Sequence, residues 1–210
     1  MGDENQDPDE DIPAAGVEDY IESGDPTDYR MWLEWETPFA DADKTGNDDS
    51  QLCWAAAVAN TLAWTGWVDD ENSAFEIFRN HFENKPGYTY DALKFYFEEY
   101  VPDVSAEMVT VREIRPTRLL DFIKSALYGG EGVIVKIAYP EGNVGHFVTV
   151  YGYQGSDSKK NPVLYYTDSD DYRLQMNEMP LRWNNANVQW EILGIYADWH
   201  LEYVVSLARP

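Results

Sequence analysis

The rhythm of hydrophobic and polar positions changes twice along this chain. Up to Asp28 large apolar residues are sparse, carboxylates alternate with Pro8, Pro13, Gly16, Gly24 and Pro26, and Lys and Arg are absent. Such a stretch cannot bury enough surface to offset its ordering entropy, so residues 1–28 read as an acidic disordered linker or tail and 29–210 as one domain. Aromatics become dense from Trp32 onward. The run Trp54–Trp64 is Ala-rich and apolar on nearly every face, with Gly66 as a stop signal, which predicts a central buried helix. A short helix is expected over 72–80 and an amphipathic one over 90–100, the latter ended by Pro102. In 117–128, Thr117 is a candidate N-cap, Leu119, Leu120, Ile123, Ala126 and Leu127 form an apolar stripe, and Gly129-Gly130 closes the helix.

Beyond Gly130 the pattern turns to strands, expected over 132–139, 146–153, 163–168 and 191–197. They are separated by turn-forming clusters at 140–143, 155–158 and 184–187. Helices first and strands afterwards predict an α+β fold, with a mainly antiparallel sheet packed against the central helix.

Composition narrows the function classes. A chain of 210 residues with 44% hydrophobic content can form one substantial core. The formal net charge is −24, and residues 1–50 hold 17 of the 39 acidic residues against only Arg30 and Lys44. An acidic chain without a Lys/Arg cluster argues against nucleic acid or an anionic membrane as partner. No apolar run approaches the ~20 residues that span a bilayer, so membrane insertion is not expected. Met1-Gly2 ahead of an acidic spacer is also what remains when a native leader has been removed, which leaves a secreted or surface location open beside a cytoplasmic one.

The candidate chemistry centres on Cys53, the single cysteine, at the point where Asp48-Asp49-Ser50-Gln51 runs into the apolar helix. Unpaired N–H groups and the positive dipole end at a helix start favour thiolate over thiol. The competing reading is a small buried hydrophobe. Downstream come His146, in Gly145-His146-Phe147, and Asp168, in Thr167-Asp168-Ser169-Asp170. Cysteine nucleophile, histidine base and orienting carboxylate is one reading of that order. A core histidine and a solvated turn is the other.

His81 and His200 are weaker candidates for the base, since neither has a carboxylate-bearing strand beside it. Lys44 and Gln51 compete as oxyanion donors upstream of Cys53. Trp32, Trp35 and Trp54 are candidates for shaping a cleft. Neither metal nor cofactor is expected: Tyr172 stands where a calcium loop needs its third ligand, and zinc-ligand spacings are missing.

The segment Lys44-Thr45-Gly46-Asn47-Asp48-Asp49-Ser50-Gln51-Leu52-Cys53, the Ala-rich helix after it, Gly145-His146-Phe147-Val148-Thr149-Val150-Tyr151-Gly152 and Tyr166-Thr167-Asp168-Ser169-Asp170 resemble the immunoglobulin-degrading cysteine proteases of streptococci (the IdeS/Mac family). The likeness extends to 119–139 and to Ile192-Leu193-Gly194-Ile195-Tyr196. It implies a papain-like cysteine endopeptidase domain over 29–210, secreted or surface-borne, acting on a protein or peptide substrate such as a host immunoglobulin. By the same likeness Cys53 is the nucleophile, His146 the general base and acid, and Asp168 the orienting carboxylate. Lys44 matches an oxyanion lysine with a one-residue change of spacing, and Asp170 a supporting carboxylate. Two departures stand out: Trp54 replaces a small residue, and the stretch before Thr117 lacks longer insertions.

A transglutaminase- or arylamine acetyltransferase-type transferase uses the same Cys, His, Asp order. A non-catalytic surface binding module on the same fold is a third reading.

Overall fold

Cys53–Thr65 forms helix α1, and eleven of its thirteen residues are buried. Its alanines keep it thin, so other elements approach it closely. Gly66 ends it in the left-handed region at φ 84°, where its N–H caps Ala63 O at 3.1 Å. The computed structural model describes residues 17–21, 28–33, 39–44, 48–103, 109–112, 118–140, 145–156, 162–170 and 176–210.

The strands preceding α1 are β1 (Val17–Ile21) and β2 (Asp28–Leu33). After α1 come α2 (Glu71–His81), whose N-cap Asp70 accepts from the Ser73 N–H at 2.7 Å, and α3 (Thr89–Tyr100). Then follow β3 (Val109–Arg112), α4 (Leu119–Tyr128), β4 (Gly132–Ala138), β5 (Gly145–Ser156) and β6 (Val163–Thr167). The chain continues with β7 (Asn177–Asn184), β8 (Gln189–Ile192) and β9 (His200–Leu207). The fold is α+β, with nine antiparallel strands in one sheet.

Long β5 organises that sheet. Along one edge it pairs first with β4, from Gly145 to Val150, and then with β2, from Gly152 to Ser156. Its other edge pairs with β6. Because β4 continues through β9, β8 and β7 to β6, six strands close into a ring.

Two apolar clusters sit on opposite faces of the shared strands. Val133, Val135, Ile137, Val148, Val150 and Leu164 belong to one, together with the Leu119, Leu120, Ile123 stripe of α4. Ile134, Phe147, Val205 and Leu207 belong to the other, packed against α1, α2 and α3. β4 and β9 are thus apolar on both faces, which explains their near-continuous hydrophobic runs.

The four predicted helices are present, α4 beginning at Leu119 with Arg118 at its N-cap; the proposed cap Thr117 lies outside the described residues. Three expectations need correction. Strands do not simply follow helices, since β1 and β2 precede α1 and β3 precedes α4. Within the proposed tail 1–28, Val17–Ile21 is a strand paired with β2, while residues 1–16 and 22–27 lie outside the described residues. The expected strand 191–197 stops at Ile192, because Gly194 takes φ 90° and Asp198 φ 74° and reverse the chain into β9.

Sheet and helix approach tightly at Gly132, where an added Cβ would lie 2.5 Å from Thr61 Cγ2 and 2.9 Å from Thr65 Cγ2. Gly132→Ala is therefore expected to push α1 from β4 and to lower unfolding free energy by about 1–3 kcal/mol, measured by urea denaturation.

Candidate active site

Cys53 is the first residue of α1, half-buried, and the loop before it is pinned from several sides. Leu52 is fully buried, and its N–H donates to Asp49 O at 2.8 Å. The Gln51 N–H donates to Asn84 Oδ1 at 2.7 Å. Trp54 donates through Nε1 to Lys85 O at 3.2 Å and meets Phe82 edge-on at 4.9 Å. Gly87 lies against the indole so tightly that a Cβ would sit 2.5 Å from it. Trp54 thus fixes the wall formed by Pro86, Gly87 and Tyr88 beside the thiol.

His146 is the second residue of β5, opposite Ile137 of β4. Asp168 follows the last residue of β6, and the pairing of Thr149 with Thr167 brings the two side chains together. Asp168 Oδ1 accepts from His146 Nε2–H at 2.8 Å and from the Asp170 N–H at 3.0 Å. Its Oδ2 accepts from the Tyr196 hydroxyl. With Nε2 held by the carboxylate, Nδ1 is the nitrogen left to Cys53, a hydrogen-bond partner of His146, and it also stands 3.7 Å from Asp170 Oδ2.

Electrostatics follow from this geometry. Burial disfavours the imidazolium, but the Asp168 hydrogen bond and then Cys53 outweigh it and raise the His146 pKa to about 10. Burial likewise acts to raise the Asp168 pKa, yet the hydrogen bonds from His146, Tyr196 and the Asp170 N–H hold it below its ordinary value.

A second layer supports the site. Lys44, buried, forms an ion pair with Asp170 and donates to Ser50 O at 3.3 Å, tying the loop before Cys53 to the loop after Asp168. Asn60, two turns into α1, accepts the Ala42 N–H at 2.6 Å and donates to Thr149 Oγ1 at 3.3 Å and Ser169 Oγ at 3.2 Å. One buried amide therefore joins α1, β5 and both loops.

The cleft at this junction has a volume of about 590 Å³. Cys53, His146, Asp170 and Gln51 line it, with Trp54, Tyr196 and Trp199. Of the proposed cleft tryptophans, Trp54 lines it, Trp35 lies outside the described residues, and Trp32 lies on β2, where its side chain is not described. Lys44 is not part of the lining; it sits behind Asp170.

His146, Asp168 and Asp170 each offer a ligand atom within 4.8 Å of one another. Of these groups, His146 Nε2 and Asp168 Oδ1 bond each other and Asp170 Oδ1 pairs with Lys44, while Asp170 Oδ2 stands 3.7 Å from His146 Nδ1.

The sequence reading selected five residues that converge here and Gln51 on the cleft wall, but missed Tyr196 and Asn60. Tyr196 was hidden in the expected strand 191–197. Asn60 had a usable signal as the one amide in an otherwise apolar helix.

Two outcomes follow. Asn60→Leu leaves the buried Ala42 N–H without an acceptor and is expected to cost about 1–3 kcal/mol by urea denaturation. Because the folded pKa of His146 exceeds its unfolded value of 6.5, its stabilising contribution is full below that pH and lost as pH rises through about 10. The stability difference between wild type and His146→Ala should therefore shrink over that window. No family model matches this chain and no curated protein matches it, so the chemistry of the site is argued from its own geometry.

Proposed function

We propose that this protein is a papain-like cysteine endopeptidase acting through a thioester acyl-enzyme. The observation that supports it is the ordered contact of three groups: Cys53 at a helix start beside His146, whose far nitrogen is held by buried Asp168. A merely structural cysteine needs neither a raised imidazole nor an open cleft in front of it.

In this reading Cys53 Sγ, as thiolate, attacks the scissile carbonyl carbon and the carbonyl electrons move onto oxygen. The tetrahedral oxyanion collapses, the C–N bond breaks, and His146 gives its proton to the departing amine. Water then enters, His146 takes its proton, hydroxide attacks the thioester, and the C–S bond breaks to release the carboxylate. Asp168 keeps the imidazole oriented throughout and stabilises its charge.

Cys53 and Gln51 both line the cleft, and in this reading the Cys53 backbone N–H and the Gln51 side-chain amide serve as the oxyanion donors. Lys44, committed to Asp170 and Ser50 O, acts by holding these loops in register. The resemblance to the streptococcal immunoglobulin-degrading enzymes extends this reading to a secreted protein substrate, immunoglobulin among them.

Iodoacetamide labelling of Cys53 near pH 6 should be fast in wild type and slower by about 10²-fold in His146→Ala, the loss expected when a thiolate reverts to an ordinary thiol. A rate equal to that of free cysteine and unchanged by the substitution would sink the proposal. Incubation with a proteome-derived peptide library should give cleavage that Cys53→Ala abolishes. An added amine that diverts the product from acid to amide would instead identify a transferase. Hydrolysis should decline as pH rises through about 10, where His146 loses the proton needed by the leaving amine.

A further inference from the structure

We infer that Tyr196 is a positioning residue of this site: its hydroxyl fixes the plane of the Asp168 carboxylate, and so the direction in which His146 presents Nδ1 to Cys53. The inference rests on the cysteine, histidine, carboxylate reading above.

A carboxylate held through one oxygen can pivot about its Cβ–Cγ bond. Both backbone and imidazole donors reach Asp168 at Oδ1, from the Asp170 N–H and His146 Nε2. Without a further donor, Oδ2 would be an unpaired acceptor in a residue only 7% exposed. Tyr196 supplies that donor from a distant part of the chain. Its own placement is set by the turn between β8 and β9: Gly194 at φ 90°, the Ala197 N–H to Gly194 O at 3.0 Å, and the Trp199 N–H to Tyr196 O at 3.0 Å.

The Tyr196 ring packs beside the imidazole at 5.9 Å and against Trp199 at 5.4 Å, on the cleft wall.

The hydroxyl is a donor that does not titrate away. Burial first, then the Asp168 charge and hydrogen bond, raise its pKa well above the ordinary range, with Tyr166 and Asp170 adding to the effect. The other charged or titratable groups here are His146 on Asp168, Cys53 on His146, and Asp170, which stands 3.7 Å from His146 Nδ1 and pairs with Lys44. In its turn the Tyr196 bond helps keep Asp168 ionised, so its removal moves Asp168 protonation to higher pH.

Tyr196→Phe retains the ring and deletes only the hydroxyl, which makes it the informative variant. The rate of iodoacetamide labelling at Cys53 is measured against pH for wild type, Tyr196→Phe and His146→Ala. The phenylalanine variant should show a plateau lowered about ten- to a hundredfold and an acid limb moved up by roughly half to one pH unit. A profile superimposable on wild type, or a uniform loss with the limb unmoved, overturns the role.

Wild-type labelling independent of His146 overturns the reading of the site itself, and Tyr196 with it, which separates the two failures. Nitrogen-15 NMR of histidine-labelled protein gives a second readout. The His146 Nε2–H signal should be sharp in wild type and broadened by exchange in Tyr196→Phe, and identical spectra would count against the assignment.

Discussion

A buried carboxylate is the constraint around which this structure is arranged. Asp168 is nearly inaccessible, and an ionised group in that setting is tolerated only when its oxygens are satisfied. Three donors from separate places meet it: the imidazole of β5, the backbone two residues on, and the phenol of the β8–β9 turn. Each arrives through a specific piece of architecture, namely the β5–β6 register, the tight loop after β6 and the left-handed Gly194. Disturbing any one of these would remove one of the three donors that offset the buried charge.

The same arrangement separates the tasks of Lys44 and Gln51, the two candidates for anion handling. Lys44 is fully engaged with Asp170 and a backbone carbonyl, so its charge serves to join loops. Gln51 and the start of α1 remain on the open side. Trp54, which departs from the small residue of the resembling enzymes, locks the opposite wall in place through Lys85 and Gly87.

Much of the site was legible in the sequence because chemistry-bearing residues there break a strong local pattern. A thiol follows a polar turn, a histidine opens an apolar strand, and carboxylates close another. α1 and α4 were legible through their alanine content and apolar stripe. The sheet was less so. β9 is buried on both faces and shows no two-residue alternation, and β7 carries Pro180 within it. Tyr196 was misread because the apolar run around it resembles a strand until Gly194 reverses it. Local pattern cannot reveal that a side chain 28 residues further along, past two strands, returns to Asp168.

Ring closure carries a consequence for synthesis. His146 and Asp168 adjoin through β5 and β6, but Tyr196 reaches them only from the turn that leads into β9, and β9 must itself find β4. These pairings are non-local, and such contacts form late because the intervening chain must first be brought together. A nascent chain still short of residue 200 therefore lacks the β9 pairings that bring the Tyr196 turn back to Asp168. The support of Asp168 is thus completed only by the last strand of the described residues, although the histidine that it holds stands on β5.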